Sequence, residues 1–179
     1  MLSFFVMFEP DRVPRLPMTA GRFEELPGVE GLRIELWDGN LDISPAAQPV
    51  WHGRARHRIA NLLETAGRVA GTGTGVVLTG WTVREPDVTR FRPGSRPALR
   101  AAQFPAAGVD LVVEVVTPSS ERRDRVIKPA EYAAAGIPEF WLVDEPEDPQ
   151  INMYRLSPGG SYLLDRRVAL SVLEHPIEG

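Results

Sequence analysis

Three side chains in this sequence have the types and spacing for hydrolytic chemistry. Asp87 follows Pro86, Glu114 lies inside an apolar run, and Lys128 stands 128 − 114 = 14 residues further on. An Asp and a Glu on neighbouring strand ends can hold one divalent cation, which polarises a phosphate oxygen and activates water at neutral pH. A lysine close by can orient that water or offset charge that develops on the phosphate. Each residue also has a plainer use. Asp87 can be a turn or cap residue, Glu114 a buried partner for an arginine, and Lys128 a solvated helix charge. The three together, in this order, favour the chemical reading.

The elements that must position them are legible to different degrees. Residues 109–120 form a valine-rich run with Pro118 just past its apolar part, the pattern of a strand buried on both faces. Side chains alternate along a strand, so Asp110, Val112, Glu114 and Val116 share one face. A carboxylate at Glu114 is costly there unless it is paired, protonated or bound to a metal. A helix is expected over 123–135, ended by Gly136 and Pro138, with Pro129 in its first turns or kinking it. A second buried strand over 140–144 completes a βαβ unit.

On the N-terminal side, Thr19 is a plausible cap for a short helix over 20–26. Alternating runs at 32–37 and 41–44 flank Asp38-Gly39 and read as a β-hairpin. Helical spacing of Ile59, Leu62, Leu63 and Ala66 predicts a helix over 52–69. A single strand is expected over 76–83 and a flexible surface loop over 89–108. A closing antiparallel pair is expected at 151–156 and 161–172. The glycines of 71–75 lack the lysine and the strand-before-helix setting of a phosphate loop.

Composition sets the bounds. The chain has 179 residues, enough for one domain with a sizeable core; 1–17 reads as an arm and linker and 18–179 as a single domain. There is no cysteine, so any metal must be held by oxygen or imidazole, which favours Mg²⁺ or Mn²⁺. The net charge of −4 argues against a general nucleic-acid coat but not against a local basic patch. The apolar start, 1–8, has no basic n-region and is too short to span a membrane. It is expected to pack on its own domain or on a second subunit, as in a homodimer, and a cytoplasmic location follows by default. His52, His57 and His175 form no metal-ligand pattern.

The motifs are similar to those of a known family. Glu35-Leu36-Trp37-Asp38-Gly39, Pro86-Asp87-Val88, the run 110–115, Thr117-Pro118-Ser119, Lys128, Glu131-Tyr132, Gly136-Ile137-Pro138 and Trp141-Leu142-Val143-Asp144 resemble the Uma-two family of restriction-endonuclease-like proteins, within the PD-(D/E)XK nuclease fold. The resemblance covers nearly everything from Met18 to Tyr154, and 110–144 is its specific part. It implies an α/β, restriction-endonuclease-like core: a mixed β-sheet flanked by helices, with an N-terminal β-hairpin. Asp87 would be the motif's Asp and Glu114 its second carboxylate, with the Val115 carbonyl a further metal ligand. The motif lysine would stand at 116, where this chain has Val116; the resemblance points to Lys128 as its replacement. Glu35 would be an added carboxylate reaching in from the hairpin. His52 matches a family position, for which a core or capping role is the expectation, and Tyr132 and Asp144 are expected to support the site.

The expected function is therefore Mg²⁺-dependent hydrolysis of phosphodiester bonds, in DNA, with Mn²⁺ able to substitute. The alternatives are a nuclease-fold module that binds nucleic acid or joins an assembly with little turnover, and a hydrolase of smaller phosphoesters. Arg54, Arg58, Arg122, Arg123 and Arg125 either grip phosphates around the cleft or balance an acidic surface.

Overall fold

The structure is a computed structural model that describes residues 17–95, 98 and 101–175; apart from Pro17, the expected arm lies outside the described residues. In chain order the elements are α1 (Ala20–Glu24), β1 (Leu32–Trp37), β2 (Asn40–Pro45), α2 (Val50–Thr65), β3 (Ala70–Gly71), β4 (Gly75–Thr79), β5 (Thr82–Arg84), β6 (Val88–Phe91) and β7 (Gln103–Pro105). Then come β8 (Val109–Val115), a π turn (Arg123–Ile127) that leads into α3 (Lys128–Ala134), β9 (Glu139–Asp144), β10 (Gln150–Leu156), β11 (Tyr162–Ala169) and α4 (Leu170–Glu174).

The strands form two sheets. One has the order β2-β1-β5-β4-β7 and the other β11-β10-β9-β8-β6-β3. Both are mixed: β4 runs parallel to β7 and β8 parallel to β9, among antiparallel neighbours. This is the expected α/β architecture, except that the N-terminal hairpin is not an appendage. Through Leu36 opposite Val83 it joins β5 and becomes part of the first sheet.

The alternation along β8 decides the layering. Leu111, Val113 and Val115 pack under Ala55, Ile59 and Leu63 of α2. Val112 and Val116 face the other way, against Tyr132 of α3, Ile137 and Phe140. The strand is thus buried on both faces, as its sequence predicts, and Glu114 points toward α3. The helix after β8 arrives as expected, but through a π turn in which the Lys128 amide donates to the Arg123 carbonyl. Pro129 follows at once and has no amide to give, and the wider turn accommodates that loss.

Two expectations are corrected. The single strand over 76–83 is a hairpin, β4 and β5, turning at Gly80-Trp81. The surface loop over 89–108 contains a fully buried strand, β6, between β8 and β3, and the short β7. Thr89 and Arg90 disguised β6, because a polar pair does not read as core. Arg90 is nevertheless accommodated by Asp110 at 2.6 Å and Glu139 at 3.3 Å.

Candidate active site

The edge where the two sheets and α3 meet collects most of the buried charge. Asp87 stands just before β6, and its Oδ2 accepts from the Val115 amide at 2.8 Å. That amide belongs to the peptide joining Glu114 to Val115, so the two carboxylates are held beside each other by backbone. His52, on the first turn of α2, brings Nε2 to 3.2 Å from the same Oδ2. Oδ1 is left buried with no hydrogen bond. The nearest cation to it is Arg33 of β1, whose Nη1 lies 3.6 Å away.

Glu114 is similarly half-satisfied. Its Oε1 accepts from Lys128 Nζ at 3.0 Å and from the Tyr132 hydroxyl at 2.5 Å, while Oε2 is buried and unpartnered. Both donors come from α3, spaced four residues apart on one helix face. Lys128 serves three carboxylates, with Asp124 at 3.2 Å and Glu35 at 3.7 Å besides Glu114. Glu35 is fixed by the Glu85 amide at 2.7 Å and by Arg84 at 3.2 Å.

This crowding sets the protonation. Three acids compete for one ammonium, and the most deeply enclosed gives way. Burial, helped by Asp124 and Asp87 and opposed by Lys128 and Arg33, pushes the Glu114 carboxyl up to about 8. Burial alone would also raise Asp87 and Glu35, but their partners outweigh it. His52, Arg33 and the Val115 amide hold Asp87 below the ordinary carboxylate range, and Lys128, Arg33 and Arg84 do the same for Glu35. Burial works against a charged Lys128, yet the surrounding carboxylates raise it above the usual lysine value.

A cleft of about 320 Å³ opens onto this cluster, lined among others by Glu35, Asp87, Val115, Ser119, Asp124 and Lys128. A second, larger cleft of about 560 Å³ adjoins it. Arg33, Gln48, His52 and Asp87 line both.

The model of a family described as "Putative restriction endonuclease" (Uma2) matches residues 20–176. The chain belongs to this family. Among solved structures it is similar to a crystal structure of a "putative nuclease belonging to DUF820" from Anabaena variabilis, at 18% identity and a TM-score of 0.65, over 86% of this chain and 84% of that one. That likeness speaks for the fold. No curated protein matches.

All four side chains singled out by the Uma2-like motifs meet at this edge. Glu35, Asp87, Glu114 and Lys128 are each at most 5% exposed. Lys128 reaches Glu114 from the helix, where Val116 turns into the apolar cluster instead. Among the described residues, no three of the Asp, Glu and His side chains stand close enough together to enclose a metal ion. What the site does offer is two neighbouring carboxylates, each with one buried oxygen that has no hydrogen bond among the described residues, and oxygen donors of this kind suit a hard cation.

His52 contributes more than the expected capping role, because it braces Asp87. Asp110 lies at the far end of β8, with Arg90, as expected. Asp144 is paired with Arg125 at 3.0 Å. The arginines sort differently from the expectation. Arg58 is tied to Glu174, and neither it nor Arg54, Arg122 or Arg125 lines the two clefts. Arg123 does, and so do Arg33, Arg56 and Arg84. Arg33 was missed, although it lies two residues before Glu35 and must share its face.

Proposed function

We propose that this chain is a metal-dependent endonuclease that hydrolyses phosphodiester bonds in DNA, with Mg²⁺ as cofactor and Mn²⁺ able to substitute. The observation that carries the reading is the pair of backbone-linked buried carboxylates, Asp87 and Glu114, each with one oxygen that has no hydrogen bond among the described residues. An unmet buried carboxylate oxygen costs on the order of 1–3 kcal/mol or more. Two of them side by side make sense where a cation belongs. Asp87 Oδ1, Glu114 Oε2 and the Val115 carbonyl would hold it, and bound there it supplies Lewis-acid chemistry at the phosphate.

The chain's own groups do the remainder. His52 and the Val115 amide keep Asp87 in one orientation. Tyr132 fixes Glu114. Lys128 keeps its proton among its carboxylates and presents a positive charge to the cleft, where it can orient the attacking water and offset charge developing on the phosphate. Water adds to phosphorus and gives up a proton to solvent, the P–O ester bond breaks, and the leaving oxygen takes a proton from solvent. Glu35, the added carboxylate from the hairpin, lines the cleft 3.7 Å from the Lys128 ammonium and joins the catalytic set. A cytoplasmic location and a homodimer belong to the same proposal and are to be tested with it. Separately, no described helix is long and apolar enough to cross a membrane.

The test is turnover of plasmid, single-stranded DNA and RNA with Mg²⁺, against the same mixtures with chelator. Metal-dependent cleavage of DNA is expected. Tight binding without cleavage by any divalent ion would instead favour the binding-module alternative.

A further inference from the structure

Two arginines flank Glu35, and they are used in opposite ways. Arg84 spends all its nitrogens inside the protein. Nε and Nη2 donate to Glu131 at 2.7 and 3.0 Å, and Nη1 to Glu35 and Asp42, each at 3.2 Å. Its guanidinium also lies 5.6 Å from the centre of the Trp37 ring. Arg33 spends none. Its Nη1 and Nη2 stand 3.6 Å from Asp87 Oδ1 and 3.7 Å from Glu35 Oε1, near enough for attraction but too far for a hydrogen bond. Its Nε and Nη2 are buried without any acceptor.

A largely buried guanidinium with unpartnered donors is costly, and an anionic acceptor with two oxygens side by side recovers that cost. Arg33 is placed to meet one. It faces the site because it shares a face of β1 with Glu35, and its register opposite Ser44 fixes it in the hairpin. Its side chain is 18% exposed, and it lines both clefts.

We propose that Arg33 is the anchor for a phosphate of the substrate strand, gripping the two non-bridging oxygens where the two clefts join. The inference rests on the nucleic-acid reading given above and adds to it the residue that fixes the strand's register beside Asp87 and Glu114. The fork geometry matters, because lysine has the charge but not the paired donors.

The experiment measures binding of a short fluorescent single-stranded DNA by anisotropy at low salt, in Ca²⁺ and in chelator. The proteins are the wild type, Arg33→Gln, Arg33→Lys and Arg122→Gln. Alongside it, Mn²⁺ binding is measured by calorimetry and folding by circular dichroism. Arg33→Gln is expected to weaken DNA binding about 10- to 100-fold, the loss of a bidentate charged contact. Arg33→Lys should recover part of that, and Arg122→Gln should stay within about threefold of wild type. Mn²⁺ affinity of Arg33→Gln should equal or exceed that of the wild type, since a positive charge near Asp87 has gone.

DNA binding by a folded Arg33→Gln at wild-type strength overturns the anchor and leaves the nuclease reading standing. Loss of Mn²⁺ binding in both folded Arg33 variants also overturns the anchor, showing that Arg33 merely supports Asp87. A wild type that binds no DNA at low salt overturns the anchor and the nucleic-acid reading together.

Discussion

Asp110 and Glu114 stand on the same face of the same strand, about 13 Å apart, and they live in opposite circumstances. At the Asp110 end, Arg90 answers both Asp110 and Glu139, and the acids stay partly open to solvent, at 16% and 25% side-chain exposure. Among the described residues, none of these three has a buried polar atom without a partner. At the Glu114 end, among the described residues, Asp87 and Glu114 each keep a buried oxygen without a hydrogen bond, Arg33 keeps two nitrogens without one, and Asp124 Oδ1 has only the Lys128 ammonium at 3.2 Å. The first cluster is a closed ion-pair network that lets β6 enter the sheet. The second is an incomplete one, with buried polar atoms on Asp87, Glu114 and Arg33 that have no hydrogen bond among the described residues. Charge alone does not mark a site; several buried polar groups left incomplete side by side are the stronger signal.

That contrast can be broken most sharply at Lys128. Replacing it with alanine should lower turnover about 10²- to 10³-fold, the scale for removing one charge-stabilising group. Mn²⁺ affinity should change far less, because Lys128 is not a ligand. Single-turnover cleavage set beside calorimetry separates the two. A wild-type rate would reduce Lys128 to a structural ion pair.

The Asp110 end should show the reverse. Arg90→Met removes the shared partner of two acids and should cost on the order of 1–3 kcal/mol, discounted from the value for fully buried pairs because both acids are partly exposed. Turnover of the protein that remains folded should be unchanged. Urea unfolding and the cleavage assay check both halves.

How much of this was legible in the sequence follows from the range of the interactions. The period-two pattern of β8 is local, so Glu114's face and its burial could be read directly. The reach of Lys128 followed from a short connection and a helix start. Tyr132, one turn further along, was readable as support but not as the second donor to Glu114. The β4–β5 hairpin was missed because Gly80-Trp81 was a weaker turn signal than the apolar run around it. β6 was missed because its burial depends on Asp110 and Glu139, which lie 20 or more positions away. His52 and Arg56 share a helix face toward the clefts, and only the packing of α2 shows which face that is.

A smaller effect sharpens the comparison through pH. The Glu114 carboxyl, lifted to about 8 by burial first and then by Asp124 and Asp87, must lose its proton before a cation can take its place. Mn²⁺ affinity should therefore rise with pH, by up to about tenfold per unit, and level off above about 8. Calorimetry in buffers of different ionisation enthalpy should show about one proton released per ion bound near pH 7. Flat affinity from pH 6 to 8 would mean that Glu114 is already ionised.

The most direct measurement is a calorimetric titration of Mn²⁺ into the wild type, Asp87→Asn and Glu114→Gln, with folding of each checked by circular dichroism. The wild type should bind the ion, and each folded variant should lose that binding, since each gives up one of the two free oxygens. Undiminished affinity in both variants would contradict the placement of a cation between Asp87 and Glu114, and with it the metal-dependent hydrolysis proposed here.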